Sequence, residues 1–318
     1  MSTPQVVTLG EALMVFNGPH HGRLERGADV AATFAGAESN LAIGLARLGH
    51  GVRWLSVVGD DPFGRDIVRN LRGEGVDVSQ VKVSADAPTA VMFKNRRAWA
   101  EPEVFYYRAG SAFSRATTET FDPASWRDAQ SIYLTGITPA LSASCLELMR
   151  HVLADARQCG IPVWLDPNYR RKLWSMEQAR ATLHDLLPHV NVVLAGFAEG
   201  QMLTGESEAK RMAAALLDLG PAAVVLKAGV QGAYYFSRNA EEFAPTFAIS
   251  QVIDPIGAGD GFAAGFLSAT LDGLSPAECL QRGHAVGALV NMTEGDWEGL
   301  PTRAELAHFL SQSTESVR

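Results

Sequence analysis

Short, almost continuous apolar runs alternate with helical patterns along most of this sequence. Six runs are strand candidates, at residues 6–9, 52–58, 131–135, 161–165, 191–194 and 223–226. Strands that are apolar on both faces are typical of parallel sheets covered by helices on both sides. The alternation therefore predicts an α/β fold, with a mainly parallel sheet and right-handed crossovers between its strands.

The helical segments carry start and stop signals. Leu41, Leu45 and Leu48 recur at helical spacing, and Gly49 follows as a stop signal. Asp60-Asp61-Pro62 supplies cap candidates and a first-turn proline for a helix over about residues 63–72. The pattern predicts further helices at residues 141–158, 176–187, 208–219, 261–271, 276–292 and 303–310.

Two stretches, residues 14–34 and 90–107, interrupt this alternation and have an extended pattern instead. We interpret them as strands of a small separate sheet, a lid over one edge of the main domain, formed by about residues 12–34 and 88–110. The alternative is an exposed patch on the main sheet. With 318 residues, the chain is long enough for one large domain that carries such an appendage.

Composition excludes several classes of function. The formal net charge is −8, which argues against a general nucleic-acid binder, because such proteins need a basic surface to displace phosphate counterions. Three widely spaced cysteines form neither a CxxC pair nor a disulfide framework, so we expect a reducing cytoplasm. The first 22 residues contain no Lys or Arg, and no apolar run approaches the ~20 residues that cross a bilayer, so neither a signal peptide nor a membrane partner is expected.

Several catalytic signatures are missing. The sequence has no Walker A motif, no G-x-G-x-x-G dinucleotide fingerprint, no HExxH helix and no G-x-S-x-G elbow. A P-loop enzyme, a dehydrogenase, a zinc protease of that type and a serine hydrolase are therefore disfavoured.

A glycine-rich turn, residues 254–265, leads into an apolar helix. Small residues allow a ligand to approach the backbone, and the amides at residues 257–260 would point at an anion above the helix start, where the helix dipole adds positive potential. Asp260 lies at that helix start. Its carboxylate could accept a proton from a substrate hydroxyl while the amides hold a phosphoryl group. The alternative is that Asp260 only caps its helix.

Two other segments offer polar side chains at favourable places. Residues 35–40 open a helix, where Gly36 allows close approach of a polyol and Asn40 is either a ligand contact or an N-cap. Residues 166–171 follow a predicted strand, at the edge where open α/β sheets bind ligands. Arg170 there and Arg108 in the predicted lid could each bind a carboxylate or phosphate, or could be solvated surface charges.

The combination of these elements resembles the PfkB (ribokinase-like) carbohydrate kinase family over about residues 5–305. The shared features are Gly36 and Asn40, the segment 59–64 (GDDPFG) and the late Gly257-Ala258-Gly259-Asp260. Within that family, segments 106–108, 166–174 and 295–299 are most similar to the 2-keto-3-deoxygluconate kinases.

The resemblance implies a ribokinase-like fold and roles for particular residues. Asp260 would be the catalytic base, and Gly257, Ala258 and Gly259 would form the anion hole. The positions that match substrate contacts are Gly36, Asn40, Tyr106, Arg108 and Arg170. The positions that match ATP contacts are Asn168, Lys227, Gly229, Gly232, Gly257, Gly259 and His284. Glu199 matches the glutamate of an N-x-x-E motif that organises Mg²⁺ through water.

Three departures from the family pattern concern the metal more than the base. The usual double glycine is Ala35-Gly36, the asparagine of N-x-x-E is Gly196, and the threonine after the first aspartate of the last motif is Pro255. The arrangement around Mg²⁺, and a monovalent cation near Asp254, are therefore less clearly indicated than the role of Asp260.

The resemblance implies ATP-dependent phosphorylation of the terminal hydroxyl of a sugar acid, with 2-keto-3-deoxygluconate as the leading substrate. The two arginines favour an acid over a neutral hexose. Another sugar kinase of the family (fructokinase, ribokinase or 5-keto-2-deoxygluconate kinase) and a non-catalytic sugar or nucleotide sensor are the alternatives. ATP and Mg²⁺ are the expected cofactors, and a homo-oligomer, a dimer or larger, is expected by analogy.

Overall fold

The computed structural model describes residues 3–18, 24–97 and 100–315. In these ranges the strands are β1 (Val6–Leu9), β2 (Leu13–Asn17), β3 (Ala31–Ala35), β4 (Val52–Leu55), β5 (Val57–Gly59), β6 (Lys82–Ser84), β7 (Ala90–Arg97), β8 (Ala100–Tyr107), β9 (Ser131–Thr135), β10 (Val163–Asp166), β11 (Val192–Gly196), β12 (Ala223–Lys227), β13 (Ala233–Ser237) and β14 (Glu241–Ala244). The α-helices are α1 (Ala37–Arg47), α2 (Pro62–Gly73), α3 (Ala124–Arg127), α4 (Ile137–Leu141), α5 (Ala143–Cys159), α6 (Met176–Leu186), α7 (Phe197–Thr204), α8 (Ala209–Asp218), α9 (Ala258–Leu271), α10 (Pro276–Asn291) and α11 (Arg303–Glu315).

The main sheet has eight strands in the order β14-β13-β12-β11-β10-β9-β1-β4. From β12 to β4 all neighbours are parallel, whereas β13 and β14 are added antiparallel at one edge. Successive residues of β1 pack into different cores, Val6 on the face covered by α1, α9 and α10, and Val7 on the face covered by α5, α6 and α8. The predicted α/β fold with a mainly parallel sheet is confirmed.

Several predicted elements have different bounds. Residues 52–58 form two strands, because β4 stays in the main sheet while β5 pairs with β6 in a separate two-stranded sheet. The apolar run is continuous across Ser56, so its pattern does not reveal the change of sheet. The helix predicted at residues 141–158 is α5, which begins at Ala143 because Ser142 is extended (φ −166°, ψ 166°) and accepts a hydrogen bond from the amide of Cys145; Leu141 ends the separate helix α4, which was not predicted.

Other elements were missed or misplaced. The short edge strands β13 and β14 and the eight-residue helix α7 were not predicted. Helix α1 begins at Ala37, four residues before Leu41, and α9 begins at Ala258 rather than Gly261. Asp61 is the N-cap of α2, as predicted, and its carboxylate accepts a hydrogen bond from the amide of Gly64 at 2.8 Å.

A second sheet, which we call the small sheet, has the order β3-β2-β7-β8 and contains the two extended stretches. This confirms the prediction of a small separate sheet; residues 19–23 and 98–99 of those stretches lie outside the described residues. Its inner face buries a cluster of Leu13, Val15, Ala35, Ala90 and Met92. Its outer face carries Phe105 and Tyr107, which are 45% and 68% exposed.

Three parallel strands of the main sheet end beside one another at a polar edge. β10 ends at Asp166, β11 at Gly196 and β12 at Lys227, and the last two are register partners. Helix α9 begins at the same edge, and the small sheet faces it. Among the described helices, none is both long and apolar enough to cross a bilayer.

Candidate active site

A cleft of about 780 Å³ lies between the carboxyl edge of the main sheet and the inner face of the small sheet. Most of the residues singled out from the sequence line this cleft. They are Gly36, Asn40, Tyr106, Arg108, Asn168, Arg170, Glu199, Lys227, Gly229, Gly257, Gly259 and Asp260. The fold thus brings together groups that are as far apart as residues 36 and 260.

Three of the predicted site residues lie outside the lining of this cleft. His284 is buried, with its Nε2 3.1 Å from the carbonyl oxygen of Ala244 and its ring edge-on to Phe262. Gly232 has φ +117°, and a side chain there would overlap the Ala244 carbonyl, so glycine is required by the backbone. Ala258 is the first residue of α9. His284 thus packs against Ala244 and Phe262, and its contact with adenine stays a prediction.

Asp260 lies in the first turn of α9, and the residue as a whole is 9% exposed. Asn40 Nδ2 donates a hydrogen bond to its Oδ2 at 2.9 Å. Burial raises the pKa of Asp260 to about 6, although the Asn40 hydrogen bond and the charge of Arg170 act in the opposite direction. The result is a carboxylate that is ionised at neutral pH and yet poorly solvated, which suits a general base.

Gly257 begins α9 as its N-cap and has φ +83°, a conformation that other residues rarely adopt. A side chain at Gly257 would also overlap the carbonyl oxygen of Asp296. At Gly259, in contrast, a side chain would meet nothing within 4 Å. The start of this 14-residue helix lines the cleft at Gly257, Gly259 and Asp260, and the first amides of a helix, which have no partner within it, suit an anion.

Gly36 and Asn40 lie at the start of α1, and Asn40 contacts Asp260. A β-carbon on Gly36 would lie 2.6 Å from the carbonyl oxygen of Glu11, so the close approach of two chain segments requires glycine. Gly36 is the N-cap of α1 and Asn40 is inside the helix, which excludes the N-cap interpretation of Asn40. The buried Asn40 Oδ1 has no hydrogen-bond partner among the described residues, so it can accept a bond from a ligand hydroxyl.

Arg108 belongs to a buried ion pair that the sequence did not indicate. Its Nε donates to Glu11 Oε2 at 2.8 Å, and its Nη2 lies 2.7 Å from the same oxygen. The guanidinium lies 5.5 Å from the ring centroid of Tyr106, and Ser111 donates to the other oxygen of Glu11. The charge of Arg108 is therefore largely neutralised within the protein.

Arg170 follows β10 in the loop at the carboxyl edge and is exposed. It forms no ion pair with the residues that the structure describes, and its charge lowers the pKa of Asp260. Of the two arginines predicted to contact substrate, Arg170 is therefore the one whose charge is available to an anion.

The other end of the cleft is a network around Lys227. Lys227 Nζ lies 2.6 Å from Asp166 Oδ2. Burial opposes the charge of Lys227, but the carboxylates of Asp166 and Glu199 outweigh it and raise the lysine pKa. The two oxygens of Glu199 accept hydrogen bonds from the amides of Tyr169 at 2.7 Å and Gly196 at 2.6 Å, while burial raises its pKa.

The backbone does not require glycine at residue 196, the position of the asparagine in the N-x-x-E motif. Gly196 is the N-cap of α7 with ordinary dihedrals (φ −65°, ψ 152°), and the Glu199 carboxylate accepts a hydrogen bond from its amide.

Asn168, with φ +41°, leaves a buried Oδ1 without a partner among the described residues. Oxygen atoms of this kind fit Mg²⁺, but within the described ranges no three His, Cys, Asp or Glu side chains converge on one metal position. A metal here would be shared with a ligand or held through water.

Sequence reasoning missed four charged residues that line the cleft, namely Glu11, Lys94, Asp166 and Asp296. Asp166 and Asp296 lie inside motifs that were noted, but they were given no role. The sequence did contain a signal for Lys94, because alternation along β7 places it on the same inner face as the buried Met92 and so indicates a buried charge. Glu11 lies in a short connection between strands and carries no pattern of its own.

Comparisons with known proteins find similar chains over nearly the whole length. Residues 3–303 match the sequence model described as pfkB family carbohydrate kinase. The 2-dehydro-3-deoxygluconokinase of Bacillus subtilis (strain 168) is 41% identical over 307 residues, which cover 96% of this chain and 95% of that protein. The 2-dehydro-3-deoxygluconokinase of Thermoproteus tenax is 35% identical over 96% of this chain and 94% of that one. The crystal structure of a PfkB protein from Polaromonas sp. JS666 superposes with a TM-score of 0.88, at 39% identity, over 96% of this chain and 99% of the other.

Proposed function

Because this chain belongs to the pfkB family of carbohydrate kinases, we propose that it transfers the γ-phosphoryl group of ATP to the terminal hydroxyl of 2-keto-3-deoxygluconate. One observation carries the proposal: the Asp260 carboxylate is held by Asn40 beside the amides that begin α9, inside a cleft large enough for both reactants. Relatives named for this activity support the choice of sugar acid.

In this mechanism Asp260 removes the proton from the terminal hydroxyl of the sugar acid. The resulting oxygen attacks the γ-phosphorus, the bond from that phosphorus to the bridging oxygen of ADP breaks, and the proton leaves Asp260 to solvent after product release. The amides at Gly257, Ala258 and Gly259 would stabilise the charge on the transferred group. Positioning and preorganised electrostatics supply most of the acceleration in such a transfer.

The cations of the cleft support an acidic substrate. Arg170 is the cation without an ion pair to the described residues, so we assign it to the carboxylate of the sugar acid or to the migrating phosphoryl group. Arg108 would donate from its remaining N–H groups, since Glu11 already accepts from Nε and Nη2. Gly36, Asn40 and Tyr106 would contact the sugar hydroxyl groups.

At the other end of the cleft, Lys227, Gly229 and Asn168 would bind the phosphates of ATP. Glu199 and Asp166 would hold Mg²⁺ through water, and the metal, when bound with ATP, neutralises charge on the phosphates. A monovalent cation near Asp254 stays a prediction; Asp254 is buried, and its Oδ1 accepts a hydrogen bond from the amide of Ile256 at 3.1 Å.

We also propose that the small sheet acts as a lid and that its outer face joins two copies of the chain. Phe16 and Phe93 stack there at 5.2 Å, and Phe93 meets Tyr107 edge-on at 5.8 Å, so exposed Phe105 and Tyr107 extend an aromatic surface. Sedimentation of the purified protein, with Tyr107→Lys as the comparison, tests the assembly.

Free Cys145, Cys159 and Cys279 suit a reducing compartment, for which we propose the cytoplasm.

A direct test measures ADP release from ATP with a panel of acceptors: 2-keto-3-deoxygluconate, gluconate, fructose and ribose. The highest kcat/KM is expected for 2-keto-3-deoxygluconate, with the phosphate on its terminal carbon by ³¹P–¹H NMR correlation. A higher kcat/KM on fructose or ribose would assign the chain to neutral sugars. Binding of ATP and sugar without turnover would make it a sensor.

A further inference from the structure

One segment of the chain touches the small sheet, the body of the protein and the start of α9 at residues 257–260, which we call the phosphate cradle. We call residues 293–300 the bridging segment. From the small sheet, Thr33 Oγ1 donates to Glu298 Oε1 at 2.7 Å and Phe34 packs on Trp297 at 4.9 Å between ring centroids. From α1, Arg47 Nη1 donates to the carbonyl of Leu300 at 2.6 Å. The second half of the segment therefore contacts two different parts of the fold.

In its middle, the segment forms a buried ion pair with the small sheet. Lys94 on β7 pairs with Asp296, and the two side chains are 1% and 6% exposed. A buried lysine or aspartate is costly unless the other is present, so each charge requires its partner in place. Asp254 and Glu298 add negative charge around Asp296, which strengthens the requirement for the lysine.

The backbone of Asp296 packs directly on the cradle. Its carbonyl oxygen occupies the space where a side chain of Gly257 would be, and Gly257 is the N-cap of α9. A shift of Asp296 would therefore release or crowd Gly257 and reorient the amides that follow it. The path from Lys94 to the cradle consists of one ion pair and one backbone contact.

We propose that the Lys94–Asp296 ion pair is the positioning element that couples the small sheet to the phosphate cradle, so that the cradle has its productive geometry only while the small sheet is seated. This inference rests on the proposed kinase function. Lys94 acts through Asp296 and is a positioning residue, not a catalytic one. A lysine that bound the substrate carboxylate instead would have to leave Asp296 buried without a partner.

The test compares the wild type with Lys94→Met, Asp296→Asn and the double variant. The single variants leave one buried charge and are expected to lose stability. The double variant removes both charges and should melt close to the wild type, since neutral replacement of a buried pair is often tolerated. Its kcat should nevertheless fall by about 10²-fold, the effect of a small misplacement of reacting groups, while KM for ATP and for the sugar acid stays near the wild-type value.

Two results would overturn the inference. A double variant with wild-type kcat would show that the pair serves stability alone. A rise in KM for the sugar acid with unchanged kcat would assign Lys94 to substrate binding. Arg53→Met is the control outside the cleft: Arg53 pairs with Asp77 at 2.8 Å and with Asp128 at 2.9 Å, and the variant should lower stability but not kcat.

Amide hydrogen exchange separates this inference from the proposed function. Exchange over residues 257–261 is expected to be faster in the double variant than in the wild type, even if the wild type were to phosphorylate none of the acceptors tested. Absence of turnover in the wild type would count against the proposed function. Unchanged exchange over residues 257–261 would count against the coupling.

Discussion

The Asn40 amide donates a hydrogen bond to the Asp260 carboxylate at 2.9 Å and joins two helix starts that are 220 residues apart in the chain. The bond fixes the rotation of the carboxylate and favours its charged form, against the cost of burial. Asn40 Oδ1 is left for a ligand. One side chain thus orients the proposed base and contacts the proposed substrate, which explains why the two glycine-containing elements must meet.

Replacement of Asp260 by asparagine should abolish most turnover and increase stability. We expect a loss of about 10²–10⁴-fold in kcat, the usual contribution of a positioned base. Because the pKa of Asp260 is raised to about 6, its charge destabilises the folded protein at neutral pH, and Asp260→Asn should therefore melt at a higher temperature than the wild type. Steady-state kinetics and calorimetry at pH 7.5 measure both effects; near-wild-type kcat would remove Asp260 from the mechanism.

The pH dependence of kcat should report the same carboxylate. Activity is expected to rise with pH through an apparent pKa of about 6, because the base must be ionised. Asn40→Ala removes a hydrogen bond that lowers the pKa of Asp260, so the acidic limb should move to higher pH. The position of the limb is the measurement, since the height of the curve also contains any loss of substrate contact. An unmoved limb would show that the hydrogen bond does not hold in solution.

Gly257 and Gly259 form a matched pair for testing the cradle. Gly257→Ala should destabilise the protein, because φ is +83° and the new methyl group would overlap the Asp296 carbonyl. Gly259→Ala should fold with wild-type stability, since nothing lies within 4 Å of its added carbon. Its methyl group would enter the cleft beside the transferred phosphoryl group, so kcat should fall. Thermal melting measures the stability of both variants and steady-state kinetics measures their kcat. Equal stability of the two variants would contradict the assigned geometry.

Arg170 should matter for acids more than for neutral sugars. Arg170→Met removes the cation that has no ion pair to the described residues, so we expect kcat/KM to fall for 2-keto-3-deoxygluconate, by about 1.5–3 kcal/mol, the contribution of a hydrogen bond to a charged group. Arg108→Met differs, because it also leaves Glu11 buried without its partner, and it should lose stability as well. Equal losses on acid and neutral acceptors in Arg170→Met would argue against a carboxylate contact.

Glu38 should make stability depend on pH. Burial raises its pKa from 4.5 to about 7, while Thr135 Oγ1 donates to Oε1 at 2.6 Å and Oε2 has no partner among the described residues. The folded state thus holds a proton that the unfolded chain has lost, so stability should decline as pH rises from about 4.5 to about 7. In Glu38→Gln, which mimics the protonated acid, the share of this decline that comes from Glu38, on the order of 3 kcal/mol, should disappear from denaturant unfolding curves, while the share from Asp260 remains.

Local patterns were sufficient for much of the fold. The buried strands of the parallel sheet are continuous apolar runs, and turn and cap residues such as Asp61-Pro62 mark helix starts, because both depend on neighbours in the chain. Edge strands β13 and β14 were not predicted because they are half-buried and mixed in composition. The division of residues 52–58 into two strands was not predicted because a change of sheet leaves no periodic signal.

The sequence by itself determined the parallel strands of the main sheet, the glycine turn at Gly257 and the proposed base, because these follow from contiguous residues and a specific motif. Only the tertiary structure decided how charge is distributed in the cleft. It paired Arg108 with Glu11, left Arg170 without an ion pair among the described residues, and buried Lys94 against Asp296. Ion pairs between residues about 100 or 200 positions apart depend on which surfaces the fold brings into contact, and no local pattern records that.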